Sequence, residues 1–265
     1  MRVATVTAGA IARMILLALV MSLTSPAQWL NLRTPGIPRL ADGNPDLVAP
    51  TPKTYDGKPD LSGMWRSDPV EDGFAYARNI AADLGPEEIM PWATSLTSQR
   101  TENLQRDAPW ARCLPVGMPL NETTSIPYRI IQTRGLVLLF HEEFDTNPRQ
   151  IFTDGRELPK DPNPTWMGYS VGTWDGDTLV VETSGFNDKT WLDQMGHPHS
   201  EDLRLTERFR RLDFGHMTLE ITIDDPKAFT RPFKLIRHPK LLADYTVLEY
   251  FCTENEKDSP HMVGK

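Results

Sequence analysis

A mainly β fold is what this sequence predicts: a curved antiparallel sheet or open barrel with a short helical cover, or alternatively a two-sheet sandwich. Three observations predict it. From Ile126 onward apolar and polar residues alternate with a period of two. Asp-Gly pairs and proline clusters punctuate these runs. The 23 Pro and 17 Gly, beside 7 Trp, 10 Phe and 6 Tyr, describe a turn-rich, aromatic-packed chain rather than a helical bundle. At 265 residues, 24% charged and 39% apolar, the chain can bury a large core, which argues against disorder and against a polytopic membrane protein. Its 28 Lys and Arg against 36 Asp and Glu leave a formal charge of -8. Such a chain has no basic field for phosphate backbones or anionic lipid, so nucleic acid is not an expected partner.

Residues 1–27 read as a signal peptide. Arg2 and Arg13 flank a weakly apolar stretch, an apolar segment runs from Met14 to Leu23, and Ser25-Pro26-Ala27 ends in the small residue a signal peptidase requires. The apolar run is too short to span a bilayer, so no stable membrane insertion is expected after cleavage. Met14 offers a second possible translation start. The expected location is the periplasm or the medium outside the cell. Export would put the 2 cysteines, Cys113 and Cys252, in an oxidising compartment where an even pair is expected to bridge. Closing so long a loop is worth roughly 4 to 5 kcal/mol in the ideal chain-entropy model. Two unpaired buried thiols are the alternative.

Residues 28–69 read as an extended N-terminal arm. They carry an internal echo, Asp42-Gly43-Asn44-Pro45-Asp46-Leu47 followed by Asp56-Gly57-Lys58-Pro59-Asp60-Leu61, too few copies for a solenoid. Leu61, Met64 and Trp65 are its expected anchors. Residues 70–112 form the expected helical cover. Gly85-Pro86-Glu87-Glu88 sets a proline and two acids at a helix start, and helix-like spacing follows from Trp92 to Trp110.

Residues 113–256 are the expected antiparallel β domain, with a flexible tail at 257–265. The runs around Tyr128 and Ile130, Leu136 to Phe140, Gln150 to Phe152, and Tyr169 to Trp174 read as strands. Asp175-Gly176 turns the last of these into Thr178 to Glu182, a hairpin signal. Arg204 to Leu212, Met217 to Ile223 and Tyr245 to Phe251 continue the pattern, for about eight strands in all. That many sequential hairpins favour closure, because closure removes exposed edges.

The 185–201 segment is polar and long for a connection between two strands, which in a compact sheet protein points to function. It concentrates Asn187, Asp188, Trp191, Asp193, His197, His199 and Glu201. His199 beside Asp193 or Glu201 would make a general acid/base, since a carboxylate fixes the imidazole tautomer and holds its proton affinity near working pH. The plainer reading is that His199 caps the loop through backbone hydrogen bonds. A metal reading takes His197 and His199 with Asp193 or Glu201 as ligands for a divalent ion such as zinc, but lacks His-Glu-x-x-His spacing. No cofactor is otherwise expected.

Glu142 and Glu143 follow the Leu136 to Phe140 strand, and alternation turns one of them inward, where pairing with Arg208 or Arg149 would build a polar wall. A surface salt bridge is the plainer alternative. His141 points opposite to Glu142. Trp166, Trp174 and Trp191 could stack a planar or apolar ligand, with core packing as the alternative. Gly168-Tyr169-Ser170-Val171-Gly172 formally fits a nucleophile elbow, but the serine runs on into a strand rather than a helix.

Several motifs resemble an uncharacterised family of exported bacterial proteins. They are Asp-Gly-x-Pro-Asp-Leu-Ser-Gly-x-Trp at 56–65, Cys-Leu-Pro-x-Gly-x-Pro at 113–119, Pro-Thr-Trp-Met-Gly-x-Ser at 164–170 and Trp-Asp-Gly-Asp-Thr-Leu-Val-Val at 174–181. Arg149 followed by Ile-Phe-Thr-Asp-Gly-Arg at 151–156, Gly-Phe-Asn-Asp-Lys-Thr-Trp-Leu-Asp at 185–193, Gly-His-Pro-His-Ser at 196–200, Glu-Arg-Phe at 207–209 and Thr-Ile-Asp-Asp-Pro at 222–226 complete the set. The resemblance spans nearly all of the chain after the signal and implies export; it carries no activity with it. Within that pattern Glu142 fits better than His141.

The expected function is therefore an exported enzyme acting on a small, partly apolar molecule by general acid/base chemistry, as an isomerase, lyase or hydrolase. His199 would be the acid/base, Asp193 or Glu201 its orienter, Glu142 with Arg208 a polar wall, and Trp191, Asn187, Trp166 and His197 the binding surface. The alternative is a non-catalytic module that binds a small molecule or a protein.

Overall fold

The computed structural model describes residues 33–67, 75–142 and 148–254. The signal peptide, Glu143 and the 257–265 tail lie outside them. Ten strands form one sheet: β1 (Gly63–Ser67), β2 (Tyr128–Thr133), β3 (Leu136–His141), β4 (Arg149–Phe152), β5 (Tyr169–Asp175), β6 (Thr178–Ser184), β7 (Arg204–Arg211), β8 (Met217–Asp224), β9 (Phe233–Arg237) and β10 (Pro239–Leu241). Their order is β10-β1-β2-β3-β4-β5-β6-β7-β8-β9. Only His238 separates β9 from β10, yet the two stand at opposite ends of that order. One continuous stretch of chain therefore leaves β8 and crosses to β1. The His216–Lys240 bridge and the Leu241 N–H donated to the Gly215 carbonyl at 2.8 Å tie the start of β8 to β10. The sheet is a nearly closed barrel.

Alternation builds its interior. In β8, Met217, Leu219, Ile221 and Ile223 are all buried while the residues between them are half-buried. Leu205 and Phe209 of β7, Leu179 and Val181 of β6, and Val137 and Leu139 of β3 join the same core, together with Trp65 and Phe186. Each fully buried aliphatic or aromatic side chain of this kind contributes roughly 1.5 to 3 kcal/mol.

Four features depart from the sequence reading. The β4–β5 pair is parallel, through Ile151–Ser170 and Phe152–Val171. After β4 the chain returns to the opposite end of the barrel before β5 starts, through a segment holding Pro159, Pro162 and Pro164, which lack the amide donors of an intervening antiparallel strand. Gly63–Ser67, expected in an arm, pairs on both edges as β1. Phe233–Arg237 and Pro239–Leu241 are strands the periodicity did not yield. Residues 245–251 form no strand; they run outside the sheet toward Cys252.

The two echoed segments of the arm adopt the same local structure. Leu40 N–H and Thr54 N–H donate to the carbonyls of Asn44 and Lys58, and Asp46 N–H and Asp60 N–H to those of Pro38 and Pro52. Gly43 and Gly57 take positive φ values of 85° and 80°, which an L side chain resists. The Asp46 and Asp60 carboxylates then each accept from the amide two residues on, at 3.2 and 2.8 Å. Each copy ends in an apolar anchor, Leu47 and Leu61, set against the core.

Three short α-helices cover the loop end of the barrel: α1 (Ala75–Arg78), α2 (Pro91–Glu102) and α3 (Leu120–Thr123). The expected helix start at Pro86 is instead a 3₁₀ turn, Pro86–Glu88, and α2 begins at a second proline, Pro91. Cys113 bridges Cys252 across 139 residues, tying the chain after α2 to the C-terminal segment. Among the described residues no helix is long and apolar enough to cross a membrane.

Candidate functional site: a polar ring inside the barrel

The hairpin turns at 134–135 and 176–177, and the 154–155 turn that follows β4, lie at one end of the barrel, and the long connections reach the other. The 185–201 segment belongs to that loop end and is folded inward: Phe186, Thr190, Trp191, Leu192, Asp193, His197 and His199 are all buried. Asp193 organises it. Its carboxylate accepts from the amides of Gly196 at 2.9 Å, His197 at 3.0 Å and Ile80 at 2.7 Å, and meets His197 Nδ1 at 2.6 Å. Trp191 sits edge-on to Trp110 at 5.1 Å, with the Arg100 guanidinium 4.5 Å from its ring centre. Arg100 also donates to the Gly196 carbonyl at 2.7 Å, so α2 holds the loop down.

His199 has both ring nitrogens engaged. Nδ1 donates to the Ser200 carbonyl at 2.9 Å, which leaves Nε2 to accept from the Thr190 hydroxyl at 2.6 Å. Burial holds its proton affinity below the ordinary range, so the ring is neutral at pH 7. His199 thus fastens the loop, and the expected orienters stand elsewhere: Asp193 pairs with His197, and Glu201 is exposed. For the zinc alternative, no group of three or more His, Cys, Asp and Glu suited to a metal occurs among the described residues. Asn187 is buried, accepting the Lys189 amide at 3.2 Å and donating its own amide to the Thr165 carbonyl at 2.8 Å.

The expected Glu142–Arg208 wall does not form. The Glu142 carboxylate accepts from the Tyr245 hydroxyl at 3.0 Å and from the Leu248 amide at 3.2 Å, fixing the C-terminal segment. Arg208 is half-buried on the outer face of β7 and pairs with Asp175 at 2.9 Å. In β3 it is His141 that faces inward, because the register Val137, Leu139, His141 carries the buried side.

That inward His141 belongs to a layer of polar side chains lining the barrel near its loop end, one from each of six neighbouring strands: Tyr128, His141, Arg149, Ser170, Thr183 and Glu207. Tyr128 stands opposite His141 in the β2–β3 register, and Ser170 opposite Thr183 in β5–β6. Arg149 is the hub. It donates through Nη1 to Glu207 at 2.8 Å and through Nη2 to the other Glu207 oxygen, a bidentate fork. Nη2 also donates to the Thr183 hydroxyl at 3.0 Å and Nε to the Ser170 hydroxyl at 3.3 Å.

Helix α3 adds a second carboxylate from above. Glu122 Oε1 accepts from Arg149 Nη1 at 3.3 Å and lies 3.6 Å from His141 Nε2. Its other oxygen, Oε2, is buried and has no hydrogen-bond partner among the described residues. Two carboxyls thus share one guanidinium. Burial pushes both toward the protonated form. At Glu122 the nearby His141 and Arg149 outweigh it, and that carboxyl ends below its ordinary range. At Glu207 burial wins over Arg149, and that carboxyl ends above. The two titrate as a pair, with Glu207 the stronger proton holder.

An open groove of about 490 Å³ lies against β4 and the chain entering β5. Phe152, Trp166, Met167 and Tyr169 line it, as do Arg149 and Ser170, the two residues it shares with the polar ring. Trp166, named from the sequence, is therefore beside this groove, while Trp191, His197 and Asn187 are packed in the loop.

Sequence reasoning named Arg149 only as a partner for a carboxylate and passed over Tyr128, Thr183, Glu207 and Glu122 as site residues. For Thr183 and Glu207 a signal existed. Leu205-x-Glu207-x-Phe209 and Leu179-x-Val181-x-Thr183 put a polar residue where an apolar alternation reaches the core, and such a position demands a buried partner. Glu122, on a single helical turn, had no such periodic context. No family model, curated protein or solved structure matches the chain.

Proposed function

We propose that the protein acts on a small, partly apolar molecule by general acid/base chemistry, with the buried ring rather than His199 as its proton-handling centre. The observation that carries this reading is the Glu122 carboxylate: enclosed, held on one oxygen by Arg149 and His141, and without a hydrogen-bond partner on the other among the described residues. A buried ionic cluster adds little stability over an apolar core of the same shape, so structure alone gives it small reason to persist. Two carboxyls whose proton affinities are driven apart are the pattern of an acid and a base in one site. Glu122 would take a proton, Glu207 would hold one, and Arg149 would stabilise negative charge developing on the substrate. The apolar and aromatic groove with Trp166 supports a ligand of modest size entering beside Arg149 and Ser170. Isomerase, lyase and hydrolase chemistry all fit this arrangement.

The test is solvent-proton exchange. A panel of small carbonyl and hydroxy acids, lactones and enols is incubated with the protein in deuterated water and followed by NMR. Deuterium incorporation or conversion that Glu122→Gln lowers by about 10²-fold or more, with the fold intact, is expected. Conversion equal in the variant would remove Glu122 from the mechanism. Binding without any exchange would favour the second reading, a non-catalytic binding module, which the open groove supports.

The same proposal places the protein outside the cytoplasm, in the periplasm or secreted. The bridged Cys113–Cys252 pair supports that location, as does the apolar segment behind Arg13. The motif resemblance to exported bacterial proteins agrees with it, and the net charge of -8 disfavours a nucleic-acid partner.

A further inference from the structure

The turn end of the barrel carries a second and larger groove, about 780 Å³, with a different chemistry. Its barrel side comes from the β2–β3 turn, the end of β4, and Trp174 of β5; its other side is the second echoed loop of the arm, with Thr54, Tyr55 and Asp56. That loop is fixed in place. Lys53 pairs with Asp177 at 2.9 Å, Lys58 Nζ donates to the Gly176 carbonyl at 3.4 Å, and the Thr54 hydroxyl donates to the Lys58 carbonyl at 3.0 Å and to the Asp56 carboxylate. The groove is thus held between two turns, so little ordering remains for a ligand to impose.

Two aromatic rings border it. Tyr55 is 79% exposed, although the apolar part of such a ring usually finds cover, and nothing in the arm's own structure requires a tyrosine at the tip of this turn. Trp174 is half-buried at the rim, its inner part against the core and Lys58 Nζ 5.9 Å from its ring centre. Around them stand groups that bind hydroxyls. Asp56 and Arg134 are exposed, and Arg134 makes no ion pair among the described residues. Asp154 is already neutralised by Arg156 at 2.6 Å. Among the side chains lining the groove one carboxylate and one guanidinium remain, and the Lys58 ammonium beside Trp174 is turned to the Gly176 carbonyl outside the lining, so the lining itself carries no excess of either sign: it suits neither a phosphate nor a cation. Its openness to water and its polar lining also fail to suit an aliphatic chain.

We infer that this groove binds a neutral saccharide, stacking a sugar ring on Tyr55 and Trp174 and holding its hydroxyls with Asp56 and Arg134. A sugar has an apolar face of C–H bonds for an aromatic ring, and vicinal hydroxyls that a planar carboxylate or guanidinium meets two at a time. The site is separate from the polar ring, which lies at the loop end of the same barrel.

The test is calorimetric titration of the full chain with maltotriose, cellotriose, xylotriose and chitotriose, each to about 10 mM, the weak end of specific recognition. At least one should bind with a Kd on the order of 0.1 to 1 mM. Tyr55→Ala should weaken that binding about tenfold with an unchanged melting temperature, because the ring is exposed and supports no core. Asp56→Asn and Arg134→Gln should each weaken it several-fold. If none of the four sugars binds, or if binding is unaltered by Tyr55→Ala and Arg134→Gln, the inference is overturned. Tighter binding of inorganic phosphate than of any sugar would overturn it as well.

Discussion

Glu122, on a single helical turn above the barrel, and Arg149, at the start of strand β4, meet at 3.3 Å with both side chains buried. Arg149 is simultaneously forked onto Glu207. Arg149 thus bridges both carboxylates, with His141 3.6 Å from Glu122, and the ring's behaviour on mutation follows from that.

Arg149→Met should destabilise the protein by about 3 to 5 kcal/mol, the cost of leaving buried carboxylates without their partner. Combining it with Glu207→Leu should recover most of the loss, since the bidentate partner then disappears too. Urea denaturation of the two variants measures this. A single-variant cost under about 1 kcal/mol would mean that water reaches the ring.

Acid should weaken the fold through His199. Its proton affinity is depressed by burial, so the unfolded chain binds the proton more readily than the folded one. The stability it supports is complete above its ordinary value of 6.5 and is lost as pH falls through the lower, folded value. His199→Gln, which cannot titrate, should flatten the decline below pH 6.5 in a melting-temperature series. An unchanged slope would assign the acid limb to other groups.

Removing the covalent tie is a third case. Cys113→Ser with Cys252→Ser opens a loop of 139 residues, which the chain-entropy model values at about 4 to 5 kcal/mol, an upper figure for a natural bridge. The expected signature is a lower melting temperature with the polar ring's chemistry retained, because neither cysteine belongs to the ring's hydrogen-bond network. Loss of that chemistry at a temperature where the variant is folded would show that the C-terminal segment reaches the site.

Asp193→Ala removes the acceptor of three amides and an imidazole at once. A loss of about 3 kcal/mol is expected, concentrated in the loop. Hydrogen exchange should accelerate at the amides of Ile80, Gly196 and His197 well before the barrel strands respond. Uniform acceleration through β6 to β8 would make the loop part of the barrel's own cooperative unit.

The 185–201 segment illustrates how far sequence reasoning reached. Its length and its His, Asp and Trp content marked it as unusual, and it does cover the end of the barrel where the polar ring lies. What the residue types could not reveal is that their hydrogen bonds are spent on one another: Asp193 on three amides and His197, His199 on Thr190 and Ser200. Glu142 shows the same limit at a single step. A β-strand reverses its facing at every residue, so assigning the inward side to 142 rather than 141 exchanged a fastener of the C-terminal segment for a member of the ring.

The mainly β class, the Asp-Gly hairpin between β5 and β6, the repeated segment of the arm and the Cys113–Cys252 pair were all readable along the chain, because periodicity, turn chemistry and cysteine parity act over short stretches or through simple counting. The parallel β4–β5 step, the crossing from β9 to β10 that nearly closes the barrel, and the meeting of Glu122, His141, Arg149 and Glu207 were not. Those residues are scattered from 122 to 207 with nothing in the spacing to join them, and only the curvature of the nearly closed sheet points them at a common centre.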